Sequence, residues 1–96
     1  MRKLTIDLQD GFSGDEVVVR VNGEEVERRP DVRTKRTLGL AQSFHIQIPD
    51  GLVTLEVDVP AKGVRGTTRV EHAHLGVSMG GRELQFIQSD KEFGYG

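Results

Sequence analysis

Apolar side chains in this chain recur at every second position, in runs broken by short turns, and that alternation limits the chain to strands. Val17, Val19 and Val21 alternate with Val18, Arg20 and Asn22, and Asn22-Gly23 follows at once. Successive strand residues point to opposite faces, so this run has one apolar face. Asn-Gly favours a type I′ turn, whose two central residues both need positive φ. A two-residue loop there sets Val21 opposite Glu24, Arg20 opposite Glu25 and Val19 opposite Val26.

Two further turns use the same logic. Gly80-Gly81 as a two-residue loop sets Met79 opposite Arg82, Val77 opposite Leu84 and Leu75 opposite Phe86. Pro49-Asp50-Gly51 separates Phe44, Ile46 and Ile48 from Val53, Leu55, Val57 and Val59. The first set is even-numbered and the second odd. This segment is predicted as the middle hairpin, which needs a two- or four-residue loop or a bulge to bring both sets to one face.

Leu4, Ile6 and Leu8 give a first strand, and others follow at about 15–22, 24–29, 42–49, 52–59, 67–79 and 82–89. In the 67–79 run Val70 is even-numbered while Ala73, Leu75, Val77 and Met79 are odd, which predicts a bulge near Glu71 or His72. Residues 30–41 read as a crossover between sheets, opened by Pro30 and ending beyond Leu38-Gly39-Leu40. No window has a capped helical period, although Thr37–Gln42 has room for a single turn. The predicted fold is all-β: an antiparallel β-sandwich of about seven strands, immunoglobulin-like or transthyretin-like, forming one domain over residues 1–96.

Composition narrows the function classes. Apolar residues make up 35% and charged residues 29%, the balance of an ordered domain. A net charge of −2 supplies no overall pull toward nucleic acid or an anionic membrane. Disulfide and thiolate chemistry are excluded because there is no cysteine. No apolar stretch is long enough for a signal peptide or a membrane span, so as written the chain is expected in the cytoplasm, with no such expectation if it is a piece of a longer one.

Three groups of residues are candidates for binding. Arg28, Arg29, Arg33, Lys35 and Arg36 concentrate positive charge around the expected crossover, a setting for phosphate, an acidic partner or RNA. Glu24, Glu25, Glu27 and Asp31 lie beside them and no aromatic residue falls between positions 13 and 43, so a self-neutralising loop is the stronger reading and nucleic acid is not expected. Phe93 and Tyr95, two of the chain's five aromatics, follow the last strand and either cover the sandwich or are free to bind, with packing favoured. His72 and His74 stand two apart, which on a regular strand puts both on one face, and His45 would join them if its strand is adjacent. A transition-metal site wants at least three protein ligands, so exposed histidines are the simpler reading.

Other chemistry has weaker support. Asp7, Asp10, Asp15 and Glu16 gather near the first turn without calcium-loop spacing. Ser43 and His45 share a strand, yet no nucleophile elbow, phosphate loop or metalloprotease motif is present, and no catalytic residue or cofactor is expected. With no Trp and one Tyr, the flat aromatic surface of a sugar-binding sandwich is missing. Val18 and Ile87 fall on outward faces, where they and open strand edges offer a route to self-association.

The run Val19-Arg20-Val21-Asn22-Gly23-Glu24-Glu25-Val26, followed by Pro49-Asp50-Gly51-Leu52-Val53-Thr54-Leu55-Glu56-Val57, resembles the layout of PEGA-like and related bacterial immunoglobulin-like or transthyretin-like sandwiches. In that layout a strand ends in a short Asn/Asp-Gly turn and a later Pro/Gly turn opens a long alternating strand. The Pro-Glu-Gly-Ala run itself is absent. The resemblance implies an accessory or interaction module and transfers no functional residue. The sequence therefore points to a non-enzymatic module that binds a protein partner or itself through a sheet edge, the 28–40 loop or the tail. The alternative is a small-ligand or transition-metal-binding sandwich using the three histidines.

Overall fold

Each alternating run forms a strand, and the two apolar faces of the resulting sheets meet. The computed structural model describes residues 1–95: β1 (Arg2–Leu8), β2 (Ser13–Val21), β3 (Glu24–Arg33), β4 (Gln42–Ile48), β5 (Thr54–Val59), β6 (Val64–Arg69), β7 (His74–Gly80) and β8 (Glu83–Ser89), with a 3-10 turn at Pro60–Lys62. The first sheet has the order β4-β1-β7-β8 and the second β3-β2-β5-β6. The fold is a β-sandwich. Strand β1 runs parallel to β7, and all other pairs among the described residues are antiparallel.

The core is filled from both sides by the alternating residues. Leu4, Ile6 and Leu8 of β1, Phe44, Ile46 and Ile48 of β4, and Leu75, Val77 and Met79 of β7 face Val17, Val19 and Val21 of β2 and Leu55, Val57 and Val59 of β5. Burying residues of this size stabilises by about 1.5–3 kcal/mol each before the entropy of ordering is counted.

The Asn22-Gly23 turn forms as expected. Both residues have positive φ (49° and 87°), and Val21 faces Glu24 while Arg20 faces Glu25. The next expected pair does not form. Val19 faces Glu27, and Val26 is displaced outward to 41% exposure by a bulge. A bulge inserts one residue and bends the strand, which suits an edge position.

At the C-terminal hairpin the faces are as expected and the pairing is not. Gly80 closes the turn against Glu83, so Met79 faces Leu84, Val77 faces Phe86 and Leu75 faces Gln88. Gly81 alone has positive φ (64°), the pattern of a type II′ turn with glycine first, so Gly81-Arg82 is the two-residue loop. The pairing moves by an even number of residues, which leaves every side chain on its face.

Two other expectations are corrected by the same physical fact, a change of sheet. β4 and β5 do not pair: one belongs to each sheet, and the chain crosses between them over 49–53. The even set and the odd set point at each other across the core, so parity is satisfied without a bulge. Likewise 67–79 is not one bulged strand. It divides into β6 in the second sheet and β7 in the first, which raises the strand count among the described residues to eight. Gln88 holds that crossing: its carbonyl accepts from the Glu71 and His72 amides (2.8 and 3.2 Å), and its amide donates to Arg69 O (2.8 Å).

β3 also continues past Pro30 to Arg33, with Pro30 and Asp31 (φ 52°) lying between the Val17–Arg29 and Asp15–Val32 pairs. Proline is tolerated there because β3 is an edge strand. Only the later part, 34–41, crosses between sheets, and it is pinned by a Lys35–Leu40 bridge around a tight turn.

Candidate functional site

The outer face of the first sheet carries the most developed polar arrangement. Thr5 and Asp7 on β1 point away from the core, beside Ser43 and His45 on β4 and His74 and Gly76 on β7. Such a face ordinarily meets water, yet Asp7 is only 7% exposed. The C-terminal tail covers it. Tyr95 OH donates to Asp7 Oδ2 (2.6 Å) and Ser43 Oγ donates to Asp7 Oδ1 (2.6 Å). Gln9 Nε2 donates to the Tyr95 oxygen (2.9 Å).

The placement of Gln9 depends on Gly76. A Cβ built on Gly76 lies 2.7 Å from Gln9 Nε2, so the Gln9 amide occupies the space a side chain would take and reaches the tail from there. Burial, and then the hydrogen bond to the Asp7 carboxylate, push the Tyr95 phenol up to about 12, because both disfavour the phenolate.

Between tail and sheet lies a cleft of about 280 Å³ with Asp7, Ser43 and Thr5 on the sheet side and Glu92, Phe93 and Tyr95 on the tail side; Leu40 and His74 complete it. The expectation that the tail packs is met, although it packs on the outside of a sheet and not over a core edge.

The other buried acid, Asp15 (4% exposed), is held differently. Lys62 Nζ lies 3.1 Å from its Oδ1, and the Ser13 amide donates to Oδ2 (2.8 Å). Asp15 has a cationic partner. Among the described residues Asp7 has none: its hydrogen bonds come from two neutral hydroxyls.

The basic cluster is spread along β3 and paired locally. Arg28 bonds Glu16 and Glu25 (2.6 and 2.7 Å), Arg29 bonds Glu27 (2.8 Å) and Arg33 bonds Asp31 (2.9 Å). The Glu25 carboxyl is held below its ordinary value by its hydrogen bond to Arg28, and the guanidinium is correspondingly raised. Arg29 also lies over the Phe44 ring, 4.5 Å from its centroid, closing the gap between the edge strands of the two sheets. Lys35 and Arg36 are exposed at the turn beyond β3.

Val18, expected on an outward face, has no exposed surface. It stands outside the core with Arg28 and Asp58 as its cross-strand neighbours. Arg20, two residues along, bonds Glu56 (2.6 Å) and Asp58 (3.3 Å), which raises its pKa. Val18 is thus buried between strands that carry charged neighbours, while Ile87 remains 54% exposed.

The histidines are separated. His45 and His74 are both cross-strand neighbours of Thr5, on opposite sides of β1, so two strand spacings lie between them. His72 is not on the strand with His74: it belongs to the loop before β7, with Nδ1 2.7 Å from Asp90 Oδ1. Among the described residues no group of three or more His, Cys, Asp or Glu side chains is close enough to hold a metal ion. No helix among them is long and apolar enough to cross a membrane. Comparison of the chain with known protein families, with curated proteins and with solved structures finds no match.

Sequence reasoning named Tyr95 and Phe93 but not Asp7, Ser43, Gln9 or Glu92 as their companions. The one available signal was Asp7 itself, an acid in the middle of the wet face of β1. Its partner lies 88 positions away, and no spacing rule connects them.

Proposed function

We propose that this protein is a non-enzymatic interaction module, of the immunoglobulin-like or transthyretin-like sandwich kind suggested by its bacterial PEGA-like layout, and that it takes a peptide segment of a protein partner in the cleft beneath its C-terminal tail. The observation that carries this reading is Asp7. A carboxylate buried on the outside of a sheet adds nothing to the core and costs desolvation, and among the described residues its two oxygens are met by hydroxyls and by no cation. The tail supports the same reading, because it already places a tyrosine on this face with its hydroxyl on Asp7. The basic residues of β3 support it less, because Arg28, Arg29 and Arg33 are engaged with neighbouring carboxylates.

The test is selection of displayed random peptides on the immobilised full chain, followed by titration of enriched peptides into isotopically labelled protein. Saturable shifts at the Thr5, Ser43 and His74 amides are expected. Absence of enrichment, or shifts confined to β3 or the β6–β8 side, would overturn the reading.

A further inference from the structure

We infer that the cleft recognises an ammonium group, with Asp7 and Glu92 as its counter-charges; this deepens the binding function proposed above and rests on it. Buried carboxylates in folded proteins are normally paired with a cation. Asp15 follows that rule through Lys62 and Asp7 does not, although the two are the buried charged residues of the domain as described. The two hydroxyls on Asp7 satisfy hydrogen-bond geometry and leave its negative charge uncompensated.

The rest of the lining fits the same ligand. Glu92 adds a second negative charge from the tail side, and among the described residues no lysine or arginine lines the cleft. Phe93 and Tyr95 contribute aromatic rings, whose faces attract cations, and Leu40 offers apolar surface for an alkyl stem. Thr5 and Ser43 provide hydroxyl oxygens able to accept from the N–H groups that the carboxylates leave unused. A volume of about 280 Å³ admits an alkylammonium of the size of a lysine side chain. Carboxylates, rings and a short apolar wall together select a primary ammonium over an anion, which would meet Asp7 and Glu92, and over a neutral chain, which would leave them unpaired.

The labelled full chain is titrated with n-butylammonium chloride, with Nα-acetyl-lysine methylamide and with its Nε-acetylated, uncharged counterpart, against matched sodium chloride. Both ammonium compounds are expected to shift the Thr5, Ser43 and His74 amides saturably, and the uncharged compound to leave them in place. Tighter binding of the lysine derivative identifies a protein side chain as the source of the ammonium, and equal binding a free small amine. Asp7→Asn should weaken binding by about tenfold or more, and Glu92→Gln, at an exposed position where folding is not at stake, by about threefold. No saturable shift from either amine, or an equal shift from the uncharged compound, overturns the inference. If selected peptides still shift the cleft while amines do not, the ammonium assignment alone fails; if neither does, the binding reading fails with it.

Discussion

The Tyr95 hydroxyl donates a 2.6 Å hydrogen bond to Asp7, joining the last described residue of the tail to the middle of the first strand. The bond links a titration to a contact. Tyr95 is the chain's one tyrosine and there is no tryptophan, so near-ultraviolet phenolate absorbance reads this residue alone. An unfolded tyrosine loses its proton near 10.0, whereas folding holds Tyr95 up to about 12. Between those values the unfolded chain binds fewer protons than the folded one, so the stabilisation from the docked phenol is complete below pH 10 and is lost as pH rises toward 12. Asp7→Asn should lower the midpoint part of the way, because burial, the larger cause, remains. A wild-type midpoint at the ordinary value would mean that the tail is not docked.

Gly76→Ala probes the support behind that contact. The new methyl group meets the far end of Gln9, a flexible side chain that can swing away, so the fold is expected to persist. The Gln9–Tyr95 hydrogen bond should not. The expected result is a thermal midpoint within a few degrees of wild type, together with increased mobility of the Tyr95 ring measured by fluorescence anisotropy. Unchanged anisotropy would show that Gln9 does not position the tail.

Local patterns were legible and the crossings between sheets were not. Val17, Val19 and Val21 announced their strand and face because alternation is a property of neighbours. Asn22-Gly23 announced its turn because few residue pairs accept positive φ twice. The alternating sets around Pro49-Asp50-Gly51 show their apolar faces but not their partners, since parity alone does not distinguish a bulged hairpin from two strands facing each other across a core. Gly80-Gly81 offered two equally permissive glycines, and the choice between them moved the pairing while preserving the faces. Tyr95 and Asp7 were illegible as a pair because only the packed sheet brings them together.

Gln88 secures the crossing that the sequence concealed. Its amide group is engaged at both ends, accepting from the Glu71 and His72 amides and donating to Arg69 O. Gln88→Ala leaves those solvent-accessible backbone groups without this partner and is expected to cost about 0.5–1.5 kcal/mol in urea unfolding. Gln88→Glu keeps the acceptor and loses the donor, so it should fall between the two. Equal stability of Gln88→Ala and wild type would show that water replaces the clamp without loss.

Zinc, copper and nickel titrations should show no saturation at fixed stoichiometry. His45 and His74 lie on either side of β1, and His72 is drawn away by Asp90. Two separated imidazoles give weak, non-stoichiometric binding without the third ligand that a structural or catalytic zinc site needs. Light scattering after size-exclusion chromatography provides the check. An unchanged mass across the metal panel is expected, and a metal-dependent increase abolished by His74→Ala would restore the metal-binding alternative.

Arg29 distinguishes an edge-closing role from an anion-binding one. Its guanidinium bonds Glu27 and lies 4.5 Å from the centre of the Phe44 ring, so it points into the gap between the two edge strands. Charges turned inward at an edge, with the bulge at Val26 and Pro30 further along, are devices that discourage pairing with another chain. In a double-mutant cycle, Arg29→Ala and Phe44→Leu are expected to couple by about 0.5–1 kcal/mol. Retention on a polyanion column at low salt should change no more for Arg29→Ala than for loss of Arg82, an exposed arginine in the β7–β8 turn. Additive mutations with a selective loss of polyanion retention would reverse the assignment and return β3 to candidacy as an anion site.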